Sequence, residues 1–506
     1  MDYALAAAAG AALALSFPRY GHPAVAWLAL VPLLVAAARL ARASHDRTLP
    51  PGRVFSVGLL AGIVYFAGTV YWTKDVMAVY GGLPVWQAVP VAGLLVAFLA
   101  LYPALFFVVT TRLLHAFGAR ALFAAPAVWV ATEFARGTLF TGFPWVLLGY
   151  SQVEVLPVAQ AASIVGVYGL SFLVALVSAA ATFALGPRPH RFVPLGVALG
   201  LLAVIAVWGA GRVRTAPLTR LGEEVRVGVV QGNVPQEQKW DGVHRQQIFE
   251  RYLALTKAAA AEGARLVVWP ESATPFMYLE DANGRAALQA TVRESGASLL
   301  FGSDQIERDA SPRFFNSAFL VASDGQTLGV YRKTHLVPFG EYVPLRTLLF
   351  FAAPLVEAVG DFSAGESVAP LSLGAARVGV AICYEIVFPS LVRESVELGS
   401  TLLTTLTNDA WYGWSSAPFQ HFAQARMRAI ENGRYLIRAA NTGISAIVDP
   451  YGRAVTRSAL FETRLLVAPV RLLSERTIYA RIGDVVAYAS VAITGLAYAL
   501  ARRAPQ

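Results

Sequence analysis

A thiol, an ammonium and several carboxylates each follow an apolar run in this chain. The stretch RVGVAICYEIVF (377–388) holds Cys383, the single cysteine, with Tyr384 and Glu385 directly after it. RLVVWPES places Glu271 just past Pro270, a residue that cannot donate to a strand ladder. GVYRKTHLVPFGEYVP carries Lys333 and then, in a Pro- and Gly-rich stretch, Glu341. Singly, each has an ordinary use. A lone cysteine fills cores as a small hydrophobe, Glu271 caps a helix, Lys333 solvates a turn, and Glu341 and Glu385 are surface acids. Together they supply the parts of nucleophilic acyl transfer. A free thiol, with a pKa of about 8.5, is only a few per cent ionised at neutral pH. It therefore needs a carboxylate to take its proton, and a cation to face the oxyanion that its attack creates.

Strand ends must bring such residues together. Short β-rich runs at 225–230, 265–270, 297–302, 316–322, 376–383, 401–408 and 435–441 alternate with helical stretches at 241–262, 283–295, 389–398 and 418–432. A hairpin is expected over 316–331. This pattern predicts a layered α/β or α-β-β-α architecture. In it, Glu271, Lys333 and Cys383 lie where sheets of this kind form crevices, past the carboxyl ends of strands. No GxGxxG or GxxxxGK[ST] follows a strand, the seven histidines are dispersed without HExxH, and one cysteine permits neither an internal disulfide nor a Cys cluster. No cofactor or metal is expected.

The chain as a whole is too apolar for an ordinary soluble enzyme, with 56% hydrophobic and 14% charged residues among 506. Residues 1–214 read as a membrane domain with about seven spans, at 3–17, 24–40, 55–73, 86–110, 121–136, 158–185 and 193–210. Residues 215–475 read as a globular domain, and 476–506 as a closing span (482–501) and tail. The first segment lacks a basic leader and an A-x-A site, so it is taken as a helix. No span carries the paired charges that ion pathways use. Arg39, Arg42, Arg47 and Arg53 join spans two and three. Arg112 and Arg120 join the next pair, Arg188 and Arg191 the next, and Arg502 and Arg503 form the tail. Alternate loops hold only Arg19, Lys74 and Arg136; Arg212, Arg214 and Arg220 run against the trend but lead into a long domain. By the positive-inside rule both termini are cytoplasmic and the globular domain is extracytoplasmic. The net charge of +9 is spread beside apolar segments, which fits membrane orientation and anionic headgroups and excludes a nucleic-acid stripe.

WPES, RKTHLVPFGEYVP and CYE, in that order, resemble the Glu, Lys and Cys motifs of the nitrilase superfamily. Their particular versions, with QGNVPQEQKW, NDAWYG and the flanking spans, resemble the bacterial apolipoprotein N-acyltransferase family over nearly the whole chain. The resemblance implies a nitrilase-like α-β-β-α sandwich beside a polytopic helical membrane domain, in the bacterial inner membrane with the sandwich on the periplasmic side. It implies transfer of a fatty acyl chain from a phospholipid to the α-amine of a diacylglyceryl-cysteine at the N-terminus of an apolipoprotein, the last step of lipoprotein maturation. By motif, Glu271 matches the general base, Lys333 the transition-state stabiliser and Cys383 the nucleophile. Trp240, Glu341, Tyr384 and Glu385 match further positions associated with activity. A monomer is expected.

In this scheme Lys333 and the backbone N–H of Tyr384 face the oxyanion, and Glu341 orients either Lys333 or the base. The apolar run at 344–362, directly after Glu341, reads as a lipid-guiding lid or as a packed helix. WYGW (411–414) reads as a lipid-path lining or as core. Two other functions fit parts of the sequence. A membrane-anchored amidase would use the same three residues with water as acceptor, and a transporter with an external binding domain would leave them unexplained.

Overall fold

The computed structural model describes residues 1–43, 50–187, 189–308, 312–343 and 361–503. The chain divides into two compact units, one of Met1–Ala78, Leu83–Thr215 and Ile482–Gln506, the other of Val79–Gly82 and Ala216–Arg481.

The first unit is helical. Among the described residues, six helical runs are long and apolar enough to cross a bilayer: Pro23–Ala43, Pro51–Thr69, Val85–Thr141, Ala162–Ala184, Val193–Arg220 and Val485–Arg503. Asp2–Ala14 is apolar but has only 13 residues. The segments expected at 86–110 and 121–136 merge into one run. Its second part, Ala125–Thr138, is a helix of 14 residues, about 21 Å long and short of a hydrocarbon core of about 30 Å. Small residues let these helices approach closely. Gly58 and Gly62 lie one turn apart, and a Cβ on either would come within 2.8 Å of Ala104 or Ala100 on the facing helix. Asp2 accepts from Arg53 at 2.8 Å and from Arg39 at 3.4 Å, so the N-terminus and the arginine-bearing loop share one end of this unit.

One helix of this unit also buries two charged residues. Glu133 and Arg136 lie one turn apart on Ala125–Thr138 and both are buried. Their function is local. Arg136 donates to the carbonyls of Phe143 (2.7 Å) and Trp145 (2.6 Å), and Glu133 accepts from the Leu148 amide at 2.6 Å. In lipid an irregular backbone must be satisfied from within the protein, and this helix satisfies the loop that follows it.

The second unit is built on two six-stranded sheets. One has the order β12-β1-β2-β3-β4-β5, from Arg464–Arg471, Glu224–Gln231, Leu266–Val268, Ser298–Glu307, Arg313–Val321 and Thr327–Arg332. The other has the order β11-β10-β9-β8-β7-β6, from Ala454–Arg457, Ala446–Val448, Leu436–Ala440, Leu402–Thr407, Ala376–Ile382 and Leu371–Leu373. Strands β1–β3 pair in parallel, as do β7–β9. Period-two alternation sorts their side chains. Val227, Val229, Leu266, Val268 and Leu300 share a core with Val378, Val380, Ile382, Leu402 and Ile437 of the other sheet. Val267, Trp269, Leu299 and Phe301 face the opposite way, onto helices Arg245–Ala261 and Ala282–Ser295. Helix, sheet, sheet and helix thus stack as the sequence predicts. Every expected strand is present. Strands β6, β10, β11 and β12 are additional, three of them only three or four residues long. Of the apolar run at 344–362, residues 344–360 lie outside the described residues.

Candidate active site

Three strand ends of the second unit carry the three chemical groups. Trp269, Pro270 and Glu271 continue β2. Gly302 on β3 seats this bend, because a Cβ there would lie 2.4 Å from the Ser272 nitrogen and 2.7 Å from Glu271 Cα. Two main-chain bonds fix it further, Gly302 N–H to Pro270 O (3.1 Å) and Ala273 N–H to Gly302 O (2.8 Å). Lys333 directly follows β5 and extends its ladder by donating to Asn316 O at 2.8 Å. Cys383 directly follows β7, where the chain turns into the tight helix Cys383–Val387 with Cys383 at φ +53°.

All three are buried, Glu271 and Cys383 to 7% exposure and Lys333 to 1%. Glu271 Oε1 accepts from Asn316 Nδ2 at 2.7 Å, and Oε2 accepts from the Asn408 amide at 2.8 Å. Each oxygen keeps further lone-pair capacity, which a base requires. Lys333 Nζ donates to Glu341 Oε1 at 2.8 Å and stands 3.8 Å from Glu271 Oε1. Glu341 Oε2 accepts from the Val337 amide at 2.8 Å, and Asn316 Nδ2 reaches Glu341 Oε1 at 3.2 Å. Glu341 therefore holds Lys333 directly, and it meets Glu271 through the shared amide of Asn316 and through Lys333 itself.

Electrostatics follow from this burial. Desolvation alone would lower the Lys333 ammonium, but Glu341 and Glu271 outweigh it and hold its pKa above the ordinary lysine value. Burial pushes the Cys383 thiol up; Glu271 adds to that rise and Lys333 opposes it. The resting thiol thus keeps its proton until a base takes it.

Glu385 fastens the site together. Its Oε2 accepts from the Ile382 amide at 2.6 Å, at the root of the nucleophile turn. Its Oε1 accepts from Tyr331 Oη (2.9 Å), the Thr334 amide (2.7 Å), Thr334 Oγ1 (2.8 Å) and the His335 amide (3.1 Å). One fully buried carboxylate thereby ties the end of β7 in one sheet to the end of β5 in the other. Burial raises its pKa, against the pull of these donors and Lys333. Tyr384 is buried with its ring edge-on to Phe388. Trp240 is set apart from this network. It is 50% exposed, and none of the hydrogen bonds joining the other residues runs through it. Trp414 is also exposed and meets Phe461 with tilted rings, and Trp411 meets Tyr80 edge-on, so WYGW is not core filling.

Sequence reasoning passed over Asn316, Asn408 and Lys239. Asn316 sits inside an apolar strand, where an amide needs a partner, and that was the signal for it. Asn408 opens NDAWYG, and its Nδ2 also donates to Gln236 Oε1 at 2.7 Å. Lys239 precedes Trp240 and is buried, donating to the Glu271 carbonyl at 3.3 Å.

Residues 226–478 match the family model for carbon-nitrogen hydrolases, and residues 9–180 match the model described as the apolipoprotein N-acyltransferase N-terminal domain. An apolipoprotein N-acyltransferase of Geobacter metallireducens is 40% identical over 99% of this chain and 95% of its own length. Those of Shewanella oneidensis (36%, covering 94% and 91%) and Methylococcus capsulatus (35%, covering 99% and 96%) are similar to it along nearly their full length. These matches over both units, with the six apolar helical runs, mark a multi-pass bacterial membrane protein and disfavour the amidase reading. The chain belongs to the apolipoprotein N-acyltransferase family.

Proposed function

We propose that this enzyme moves a fatty acyl chain from a membrane phospholipid to the N-terminal α-amine of a diacylglyceryl-modified apolipoprotein, through a thioester on Cys383. The observation that carries the reading is the buried grouping of Glu271, Lys333 and Cys383 at three strand ends of one unit, in a chain whose other unit is built from membrane-length helices. Glu271 takes the thiol proton as Sγ attacks the ester carbonyl. Lys333 and the Tyr384 N–H face the resulting oxyanion, and such a donor contributes about 3–4 kcal/mol, or 10²–10³ in rate. Collapse breaks the ester C–O bond, Glu271 returns the proton to the departing lysophospholipid alkoxide, and the acyl group stays on sulfur. The acceptor amine then attacks the thioester, gives a proton to Glu271, and the C–S bond breaks with that proton passing to Sγ.

Glu341 belongs to Lys333 in this scheme, holding the ammonium charged and aimed. A membrane unit suits such a donor. At about 0.8 kcal/mol per methylene, drawing a chain of about sixteen carbons into water costs roughly 12 kcal/mol, so the phospholipid is taken from the bilayer itself. The arginine distribution, and the N-terminal Asp2 lying among Arg39 and Arg53, support cytoplasmic termini with the second unit on the periplasmic side. Incubating the purified protein with phospholipid and a diacylglyceryl peptide, then weighing the peptide, tests the function. A gain of one acyl chain on the amine is expected. Free fatty acid with an unchanged peptide would return the enzyme to the hydrolases.

A further inference from the structure

Behind the nucleophile lies a buried histidine that the mechanism above does not use. His421, on the helix Ala417–Asn432, is fully buried, and its Nε2 stands 3.2 Å from the carbonyl oxygen of Cys383. A carbonyl only accepts, so the single ring proton is assigned to Nε2 as the donor, which leaves Nδ1 to accept from Arg438 Nη2. The other ring nitrogen, Nδ1, is boxed by Asp409 Oδ1 at 3.0 Å and Arg438 Nη2 at 3.1 Å. Asp409 is fixed in turn, by Arg438 Nη2 on its Oδ2 at 2.7 Å and by Thr407 Oγ1 on its Oδ1 at 3.0 Å. The imidazole therefore has little freedom to rotate away from the carbonyl.

Two facts give that single hydrogen bond its weight. Cys383 adopts φ +53°, a left-handed conformation that a residue with a side chain keeps only when its surroundings enforce it. A trans peptide is also a rigid plane whose C=O and N–H point in opposite directions. Fixing the Cys383 carbonyl on His421 consequently fixes the Tyr384 N–H on the other side of the same plane. We propose that His421, held by Asp409 and Arg438, is a positioning residue that aims the Tyr384 N–H at the oxyanion by anchoring the Cys383 carbonyl. This rests on the thioester reading above, in which that N–H stabilises both tetrahedral intermediates.

The test compares two reactions of the same thiol in the full-length protein. Acylation by phospholipid, followed as a mass gain without acceptor, passes through an oxyanion. Alkylation by iodoacetamide is a displacement at a saturated carbon and passes through none. His421→Leu is expected to slow acylation by about 10²–10³, the cost of a lost oxyanion donor, while alkylation stays within about threefold of wild type. His421→Gln, which keeps an N–H donor, is expected to recover at least about tenfold of the lost acylation rate. Equal falls in both reactions, or unchanged acylation in His421→Leu, would overturn the proposal. Should the leucine variant not fold, His421→Asn, too short to reach the carbonyl, carries the same pair of measurements. Failure of the thioester reading itself would show separately, as a wild-type enzyme that gains no acyl mass.

Discussion

At the scale of single residues, the base, the cation and the thiol answer to one another, and this makes their roles separable. Without acceptor, the wild-type enzyme should accumulate one acyl chain on Cys383, removable by neutral hydroxylamine. Cys383→Ser should abolish that gain, and Glu271→Gln should slow it by at least about 10²-fold, the lower end of what a general base contributes. Normal acylation of Glu271→Gln would remove Glu271 from the mechanism. The free thiol gives a second reading, with signs fixed by its neighbours. Glu271 raises the pKa of Cys383 and Lys333 lowers it. The pH profile of alkylation should therefore move to lower pH in Glu271→Gln and to higher pH in Lys333→Met. Shifts in the same direction would contradict the electrostatics described. The three chemical groups were legible in the sequence because each follows an apolar run and differs sharply from its surroundings. Asn316 and His421 were not, because an amide in a strand and an imidazole on a helix acquire their meaning only from partners distant in the chain.

At the scale of elements, Glu385 is the critical junction. It accepts five hydrogen bonds from residues on both sides of the site, at Ile382 and at Tyr331, Thr334 and His335. Removing it strands several buried donors at once, each worth about 1–3 kcal/mol when left unsatisfied. Glu385→Ala should therefore cost about 3–5 kcal/mol of stability, several such penalties together, and should lose acylation as well. A thermal or denaturant midpoint matching wild type would show that the junction is dispensable. Strands β1 to β4 and β7 to β9 were readable as apolar runs because most are buried on both faces. Strands β6, β10 and β11 were too short for periodicity to register, and β12 alternates too weakly with its exposed face to stand out.

At the scale of the whole molecule, the claim to be tested is orientation. Arginines cluster in the loops assigned to the cytoplasm, so a reporter fused after Gln506 should be active only inside the cell, and one inserted in a loop of the second unit only outside. A C-terminal reporter active only outside the cytoplasm would invert this topology. The apolar segments were plain from composition. The shortness of Ala125–Thr138 was not, because Glu133 and Arg136 take their meaning from backbone groups in the loop behind them, which they serve. That service has a consequence for biogenesis. A charged side chain costs about 2.5–3.5 kcal/mol on entering lipid by way of the translocon at a helix centre, and less towards its end, where Arg136 occupies the last turn. Ala125–Thr138 is thus disfavoured in the bilayer until Phe143, Trp145 and Leu148 have emerged to receive its hydrogen bonds, and Ser171 to accompany them by accepting from Gly149. Its stable insertion is therefore expected only after some thirty more residues, as far as Ser171, have left the ribosome.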